Sequence, residues 1–162
     1  MPVVLRHHAA LELNVVEYRG AVTLAELKAL AAFLANHSDY LQRDTMSVVL
    51  EDGDFSGVDL ATLDALFSRY RTMFAPLRFE IVRRAAWVCL SATAQKHVDY
   101  WVNDRDSRES MSSAVRQFAT FAEAADWLVL SADDAVLLET REGFEEFARF
   151  DLPVRPIAQA TR

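Results

Sequence analysis

The chain has 162 residues, 52% of them hydrophobic and 25% charged, which is the balance of one globular domain with a sizeable core. Its formal net charge of -7 opposes nucleic acids and anionic lipids as bulk partners, because binding to phosphates draws on a basic face. A single cysteine excludes an internal disulfide, and the first residues lack the basic start and apolar core of a signal peptide. With no apolar run of membrane-spanning length, we expect a cytoplasmic protein that needs no cofactor.

The first part of the chain alternates between strand and helix patterns. Two strands are predicted at residues 3–5 and 11–18, forming the edge of a sheet. Thr23 and Glu26 have the spacing of a capping box, in which each side chain satisfies a free backbone N–H at a helix start. The nearly continuous apolar run at residues 45–50 is typical of a central strand covered on both faces.

An acidic loop follows that central strand and leads into the second predicted helix. Asp59 is placed to cap this helix, because its side chain can accept from the free N–H groups of the first turn. Residues 79–90 contain a β-rich run that predicts one more buried strand. A third helix is expected to begin at Ser91.

The pattern continues through residues 103–110, a polar loop by composition, to a last predicted strand at residues 114–118. Thr120 and Glu123 form a second capping box, and the helix that they open carries Trp127, which we expect in the core. Strands that alternate with helices behind an antiparallel pair predict an α/β fold with a largely parallel sheet.

Three stretches are more specific than this periodicity. They are residues 18–24 at the first helix, residues 48–57 at the acidic corner and, above all, residues 118–128, with the sequence FATFAEAADWL. Together they resemble the SpoIIAA-like domains, also grouped as STAS/SEC14-like, over roughly residues 3–130. The resemblance implies a mixed β-sheet of about five strands flanked by α-helices. It also implies a protein that binds ligands or partners instead of catalysing a reaction.

The chain differs from the SpoIIAA-like domains at the corner where members of that family are phosphorylated. In that family an Asp is followed by a phosphorylatable hydroxyl residue, whose phosphate the helix N-terminus stabilises. Here Asp59 is followed by Leu60 and Ala61, and Thr62 stands at a position that the family does not use. The resemblance therefore implies the fold without its phosphoacceptor, and partner binding without the switch stays open.

An enzymatic interpretation starts from Asp52 and Asp54, which follow an apolar strand as the paired carboxylates of haloacid-dehalogenase phosphatases do. We reject it because the residues after Asp54 differ and no Lys follows a strand at a suitable place. The later acidic pair, Asp133 and Asp134, also opens a predicted helix instead of closing a strand. An EF-hand fails because its ligands need fixed alternating positions and a bidentate Glu.

The histidines and the cysteine do not suggest a metal site. His7 and His8 are adjacent on a strand and point to opposite faces, so they cannot chelate one ion together. His37 lies near a helix end, and His97 lies within a helix beside no set of further ligands. Cys89 follows an apolar strand and is predicted to be a small buried side chain, not a nucleophile.

Five arginines lie close together in the otherwise acidic chain. Guanidinium groups suit carboxylates and phosphates, so this cluster is a candidate lipid-headgroup or partner patch. The alternative is a solvated helix end that offsets the acidic remainder. The candidate ligand- or partner-binding residues are thus three acids of the corner, Asp52, Asp54 and Asp59, and the five arginines, Arg69, Arg71, Arg78, Arg83 and Arg84.

The chain continues beyond the family-like residues 1–130 into a C-terminal extension, residues 131–162. An amphipathic helix interrupted near Gly143 is predicted over residues 133–150, and residues 151–162 are expected to be extended. The extension carries Phe144, Phe147 and Phe150, which must be buried somewhere. They can pack on the chain's own core, cover a ligand cleft as a lid, or contact a second subunit in a homodimer.

These patterns lead to two functional expectations. The first is a non-catalytic regulatory or protein-interaction domain with an unknown protein partner. The second is a carrier that holds a small apolar or lipid-like ligand between sheet and helices, with the arginine cluster near the mouth and peripheral membrane association. Neither expectation includes nucleic acid, a transmembrane segment, a metal or a cofactor.

Overall fold

The computed structural model describes residues 2–75, 83–104 and 113–152. Within these ranges six strands form one mixed sheet, and six helices lie along the chain. The strands are β1 (Val3–His8), β2 (Leu13–Tyr18), β3 (Asp44–Val49), β4 (Arg83–Cys89), β5 (Ser113–Phe118) and β6 (Glu145–Phe150). The helices are α1 (Leu24–Asn36), α2 (Ser38–Leu41), α3 (Leu60–Phe74), α4 (Gln95–Asn103), α5 (Phe121–Trp127) and α6 (Ala132–Thr140).

The sheet has the strand order β5-β4-β3-β2-β1-β6. Its strands β2 to β5 are parallel to one another, whereas β1 is antiparallel to both β2 and β6. Each parallel crossover passes through a helix, as the alternating pattern predicts. The general α/β class expected from the sequence is therefore confirmed.

Two apolar layers sandwich the sheet. One layer packs α1, α3 and α4 on one face of the sheet, and the other packs α5 and α6 on the opposite face. Because side chains alternate along a strand, β2 sends Val16 and Tyr18 into the first layer and Leu13 and Val15 into the second. All six residues of β2 are buried, which explains why its apolar content is high on both faces.

The helix starts follow the predicted capping residues. Glu26 accepts the Thr23 backbone N–H at 2.6 Å, and the Thr120 hydroxyl accepts the Glu123 N–H at 3.2 Å. The Asp59 carboxylate likewise accepts from a backbone N–H in the first turn of α3. These confirmed caps are local interactions, so sequence spacing alone identifies them. The start of α4 differs from the prediction. This helix begins at Gln95, whereas the predicted start, Ser91, lies in the preceding turn.

The extension differs most from the prediction. Its helix ends at Thr140, Arg141 adopts a left-handed conformation with φ 65°, and the chain returns as β6. Strand β6 pairs with β1, so β1 is an interior strand and its predicted edge position is wrong. The strand predicted at residues 114–118 is confirmed as β5, but it is not the last strand of the chain. A bulge at Phe147 adds one residue to β6. Because of this extra residue, Phe147 and Phe150 pack on the same layer although they are three residues apart. A separation of three residues is also typical of one face of a helix, which is why the sequence predicted a helix here.

No helix in the described ranges has both the length and the apolar content required to cross a bilayer. The tail beyond Leu152, predicted to be extended, lies outside the described residues, as does most of the predicted polar loop.

Candidate functional site

The acidic corner after β3 is built from loop-stabilising contacts. The Asp54 carboxylate accepts the backbone N–H of Ser56 at 2.7 Å and the Ser56 hydroxyl at 3.0 Å. These bonds hold the pKa of Asp54 below its ordinary value. The backbone of Asp54 also bonds to Gly20 and Val22, each at 2.8 Å, and so ties the corner to the loop before α1. The position of Asp54 is that of a structural turn residue.

The other acids of the corner face solvent or cap a helix. Asp52 is exposed in the turn, and Asp59 accepts the Ala61 N–H at 3.0 Å. Thr62, the nearest hydroxyl in the first turn of α3, donates to the Asp59 carbonyl at 2.7 Å. The hydroxyl is thus part of the helix start.

Gly53 occupies a tight position between Asp52 and Asp54. A β-carbon there would lie 2.5 Å from Val49 Cγ1 and 3.0 Å from the Leu50 carbonyl oxygen. Gly53→Ala is therefore expected to destabilise the protein by about 1–3 kcal/mol through overpacking, measured by urea unfolding. Gly57→Ala is the matched control, because a β-carbon there meets no atom within 4 Å. Equal unfolding midpoints for the two variants would show that the corner relaxes freely.

The described residues hold no group of three or more His, Cys, Asp or Glu side chains suited to binding a metal ion. His7 and His8 do contact opposite layers, with Phe147 on one side and Phe144 on the other. His97 directs its Nε2 to the Val58 carbonyl oxygen at 2.9 Å. Partial burial raises the pKa of the Cys89 thiol, which disfavours the thiolate form.

The arginine cluster is dispersed in the fold. Arg69 and Arg71 are exposed on α3, and Arg78 lies outside the described residues. Arg83 is buried on the α1–α3–α4 face of the sheet. Arg84 lies on the other face, where it donates to the Trp127 carbonyl at 3.1 Å and covers that indole ring. Trp127 itself is half-buried, so it does not belong to the fully buried core that its helix position suggested.

Arg83 lines a cavity between the sheet and the helices of the first layer. The sequence patterns do not predict this cavity. Its volume is about 50 Å³. The sheet supplies its floor from β1 to β4, and α1 to α4 supply its roof. The described lining residues are Leu5, Asn14, Val16, Tyr18, Leu30, Leu34, Tyr40, Thr45, Ser47, Tyr70, Arg83, Ala85, Trp87 and Trp101.

Small side chains create this space. Thr45 and Ser47 on β3 and Ala85 on β4 alternate toward the first layer, and the register places Thr45 beside Ala85. Such short side chains do not reach the helices, so a gap is left beneath Leu30 of α1 and Tyr70 of α3. On the opposite face β3 carries the larger Met46 and Val48, which fill the second layer.

The cavity has a polar end at the beginning of the strands. Thr45 Oγ1 and Arg83 Nη1 both point to the Arg43 carbonyl oxygen, at 3.4 and 3.5 Å. Asn14, also at a strand start, donates to the Tyr40 carbonyl at 2.7 Å. This end is opposite to the acidic corner, because the corner follows the carboxyl ends of the strands.

Aromatic rings form much of the remaining wall. Trp87 stacks on Tyr18 with centroids 5.7 Å apart and meets Trp101 at 5.5 Å. Burial is the largest cause of the raised pKa of Tyr18, and it raises the pKa of Tyr70 to about 12. Burial also lowers the pKa of Arg83 to about 10. All three groups therefore keep their protons at neutral pH.

The three phenylalanines of the extension pack on the chain's own layers. Phe144 is 5% exposed and lies against His8, with ring centroids 5.0 Å apart. Phe150 contacts Phe33 of α1. Phe147 stacks on Tyr40 at 4.2 Å, and so supports a residue that lines the cavity. The extension thus backs one wall of the cavity from outside.

Of the candidates selected from the sequence, Arg83 alone lines this cavity among the described residues. Sequence reasoning missed Ser47, Ala85, Tyr70 and Trp101. The available signal was the short side chains of Thr45 and Ser47 on one buried strand and of Ala85 on the next, which leave volume that the helices must cover. In comparisons with known proteins, the chain matched no family model, no curated protein and no solved structure.

Proposed function

We propose that this protein binds a small, mainly apolar molecule in the cavity between the sheet and helices α1 to α4, without catalysing a reaction. One observation carries the proposal: a gap with an apolar and aromatic wall contains a few polar groups gathered at one end. That combination is the usual composition of a small-molecule site, in which apolar contacts supply affinity and polar groups set orientation.

The volume decides the size of the occupant. A water molecule needs roughly 10–15 Å³ on this measure, so a 50 Å³ cavity has room for about three to five non-hydrogen atoms. Sites for drug-sized ligands reach about 300–1,000 Å³. A long acyl chain therefore requires the helices to move away from the sheet, whereas a small molecule fits the structure as it stands.

The protonation states favour binding over chemistry. A general base works best with a pKa near the working pH. Burial raises the pKa of Tyr70 to about 12 and lowers that of Arg83 to about 10. Both groups therefore stay protonated near neutral pH. In the proposed role the two side chains hold a ligand and do not transfer protons.

The proposal includes a SpoIIAA-like fold for residues 1–130. It is supported by parallel strands joined through helices, by the capped start of α3 after the acidic corner, and by the capped α5. A regulatory or protein-interaction role is the second candidate, favoured by the exposure of Glu51 and Asp52 beside α3. A homodimer stays a prediction.

The test is a titration of the full chain with compounds of three to five heavy atoms, such as 1-propanol and propionamide, followed by NMR. We expect saturable shifts of the Trp87 and Trp101 indole N–H signals and of the Ser47 amide, because these residues line the cavity. Ala85→Leu should abolish the shifts by filling the space above β4. Ala135→Leu, which adds the same volume at a half-buried site in the other layer, should leave them intact.

Two results would contradict this proposal. One is the absence of saturable shifts for every compound of the series in the folded wild-type protein. The other is retention of those shifts in folded Ala85→Leu, since the ligand would then bind elsewhere.

A further inference from the structure

We propose that three arginines around Glu17 bind the phosphate group of a small, soluble phosphate monoester. This group of side chains, the Glu17 site, consists of Glu17, Arg6, Arg19 and Arg141. It lies on the opposite face of the sheet from the cavity and is therefore independent of the proposed function. Three properties support the assignment: an excess of cations, a buried donor without an acceptor, and guanidinium groups held in place.

Strand register brings these side chains together. Val15 of β2 packs in the second layer, and Glu17, two residues further on, faces the same side. Arg6 of β1 is the register partner of Val15 and points to that side too. Arg141 ends α6, which covers this face, and Arg19 directly follows β2. Residues up to 124 positions apart in the sequence thus meet at one carboxylate.

The first property is the excess of cations. Arg6 and Arg141 both donate through Nε to Glu17 Oε1, at 3.0 and 2.9 Å, so their guanidinium groups lie side by side. Arg19 donates to Oε2 at 3.0 Å. One arginine is enough to neutralise one carboxylate, so two positive charges are left over. Because the arginine side chains are 23%, 44% and 13% exposed, salt screens this excess only in part.

The neighbouring charges do not cancel the excess. Glu146 lies 3.9 Å from Arg6 Nη2, but its carboxylate accepts two hydrogen bonds from Arg149. Asp151 is a further acid whose charge acts on Arg149. With these groups counted, four arginines face three carboxylates in the described part of the chain. The region stays positive in a protein whose formal net charge is -7, so it attracts an anion.

The second property is an unused donor on Arg141. Its Nη1 atom is buried and has no hydrogen-bond partner. A buried charged donor without an acceptor is costly, and folded proteins contain few of them. A phosphate oxygen supplies the missing acceptor. Access to Nη1 requires a side chain to move, and Arg19 is the most exposed of the three arginines.

The third property is the fixed position of the Arg141 guanidinium. It lies over the Phe121 ring at 5.2 Å, and its Nε is held by Glu17. Its backbone adopts φ 65°, a helix-end conformation in which Gly or Asn is the ordinary residue. An arginine here directs a cation to Glu17 at the expense of that preference.

These properties favour a phosphate monoester over other anions. Guanidinium forks match pairs of phosphate oxygens, and three of them suit a group with three terminal oxygens. A phosphate monoester carries a charge of about -1.5 to -2 at neutral pH, close to the two positive charges in excess over Glu17, whereas a carboxylate carries one. The acidic chain as a whole is repelled by an anionic membrane, which favours a soluble ligand.

The experiment uses glycerol 3-phosphate as the probe, with acetate and glycerol for comparison. NMR titrations of the full chain, at neutral pH and constant ionic strength, follow the Nε–H signals of Arg6 and Arg141. We expect saturable shifts with glycerol 3-phosphate, about tenfold weaker binding of acetate, and no binding of glycerol. The indole N–H signals of Trp87 and Trp101, which report on the cavity, should stay unchanged.

Variants then locate the binding. Arg19→Gln removes the most exposed cation of the site and should weaken the binding of glycerol 3-phosphate about tenfold. Arg19→Lys keeps the charge without the fork and should restore part of the affinity. Arg116→Gln is the matched control, because it removes the same charge from the same face of the sheet, but at the far edge on β5, where Arg116 lies over Phe118.

Several results would overturn this proposal. They are the absence of arginine shifts with glycerol 3-phosphate, equal affinities for acetate and glycerol 3-phosphate, and an unchanged affinity in folded Arg19→Gln. Shifts confined to the indole signals would place the phosphate in the cavity instead. Sedimentation with vesicles that contain phosphatidic acid, without binding of glycerol 3-phosphate, would show a lipid headgroup as the ligand. The wild-type titrations decide the question even if no variant folds, and none of these results bears on the binding of neutral compounds in the cavity.

Discussion

Glu17→Ala is expected to lower the free energy of unfolding by about 3–5 kcal/mol, among the largest effects of any single substitution in this chain. Glu17 lies on β2 with 2% of its side chain exposed, and three arginines converge on it. Arg6 and Arg141 donate to Oε1 at 3.0 and 2.9 Å, and Arg19 donates to Oε2 at 3.0 Å. Removing the carboxylate leaves these cations close together without their shared anion.

Arg141 is the partner most affected. Its side chain is 13% exposed, and burial lowers its pKa. It also lies over the Phe121 ring at 5.2 Å and ends helix α6 in the left-handed conformation. Glu17 therefore joins the middle of the sheet to the turn that leads into β6, and loss of this contact should loosen that turn.

The control is Glu146→Ala, which removes a more exposed carboxylate that pairs with Arg149. An ion pair of that kind contributes at most about 1 kcal/mol. Urea unfolding of both variants and the wild type gives the comparison. A loss below 1 kcal/mol for Glu17→Ala would mean that the three arginines turn to solvent at little cost.

Truncation after Leu130 is expected to destroy the cooperative unfolding transition or to yield aggregating protein. It removes α6 and β6, and with them the strand that pairs with β1 along its outer edge. It also removes Leu138, which has no exposed surface, and Phe144, which is nearly buried. The second layer would lose part of its cover, and the exposed edge of β1 would be open to pairing with other chains.

Truncation after Leu152 is the matched control, because it retains both α6 and β6. Thermal melting and light scattering of the two truncated proteins test the difference. A protein ending at Leu130 that melts like the one ending at Leu152 and keeps its apparent mass would show that the extension is dispensable to the fold.

Much of the fold could be predicted because its signals are local. A capping box needs residues three positions apart, and Thr23 with Glu26 provides one wherever the helix finally packs. The central parallel strands β3 and β4 were recognisable from apolar runs, because both faces of such strands are covered. Strand β6 could not be recognised from the sequence, because its bulge places Phe147 and Phe150 at a spacing typical of a helix.

The sequence by itself determined the α/β class, the capped starts of α1, α3 and α5 and the separation of His7 from His8 onto two faces, because the last two depend on near neighbours in the chain and the class on the order of the elements. Tertiary structure decided which face of the sheet each of Arg83 and Arg84 takes, and that Arg83 meets Tyr70 and Trp101 around a cavity. It also decided that Arg141 reaches Glu17. Such contacts join residues far apart in the sequence, and their partners are selected only when strand order and register bring the elements together.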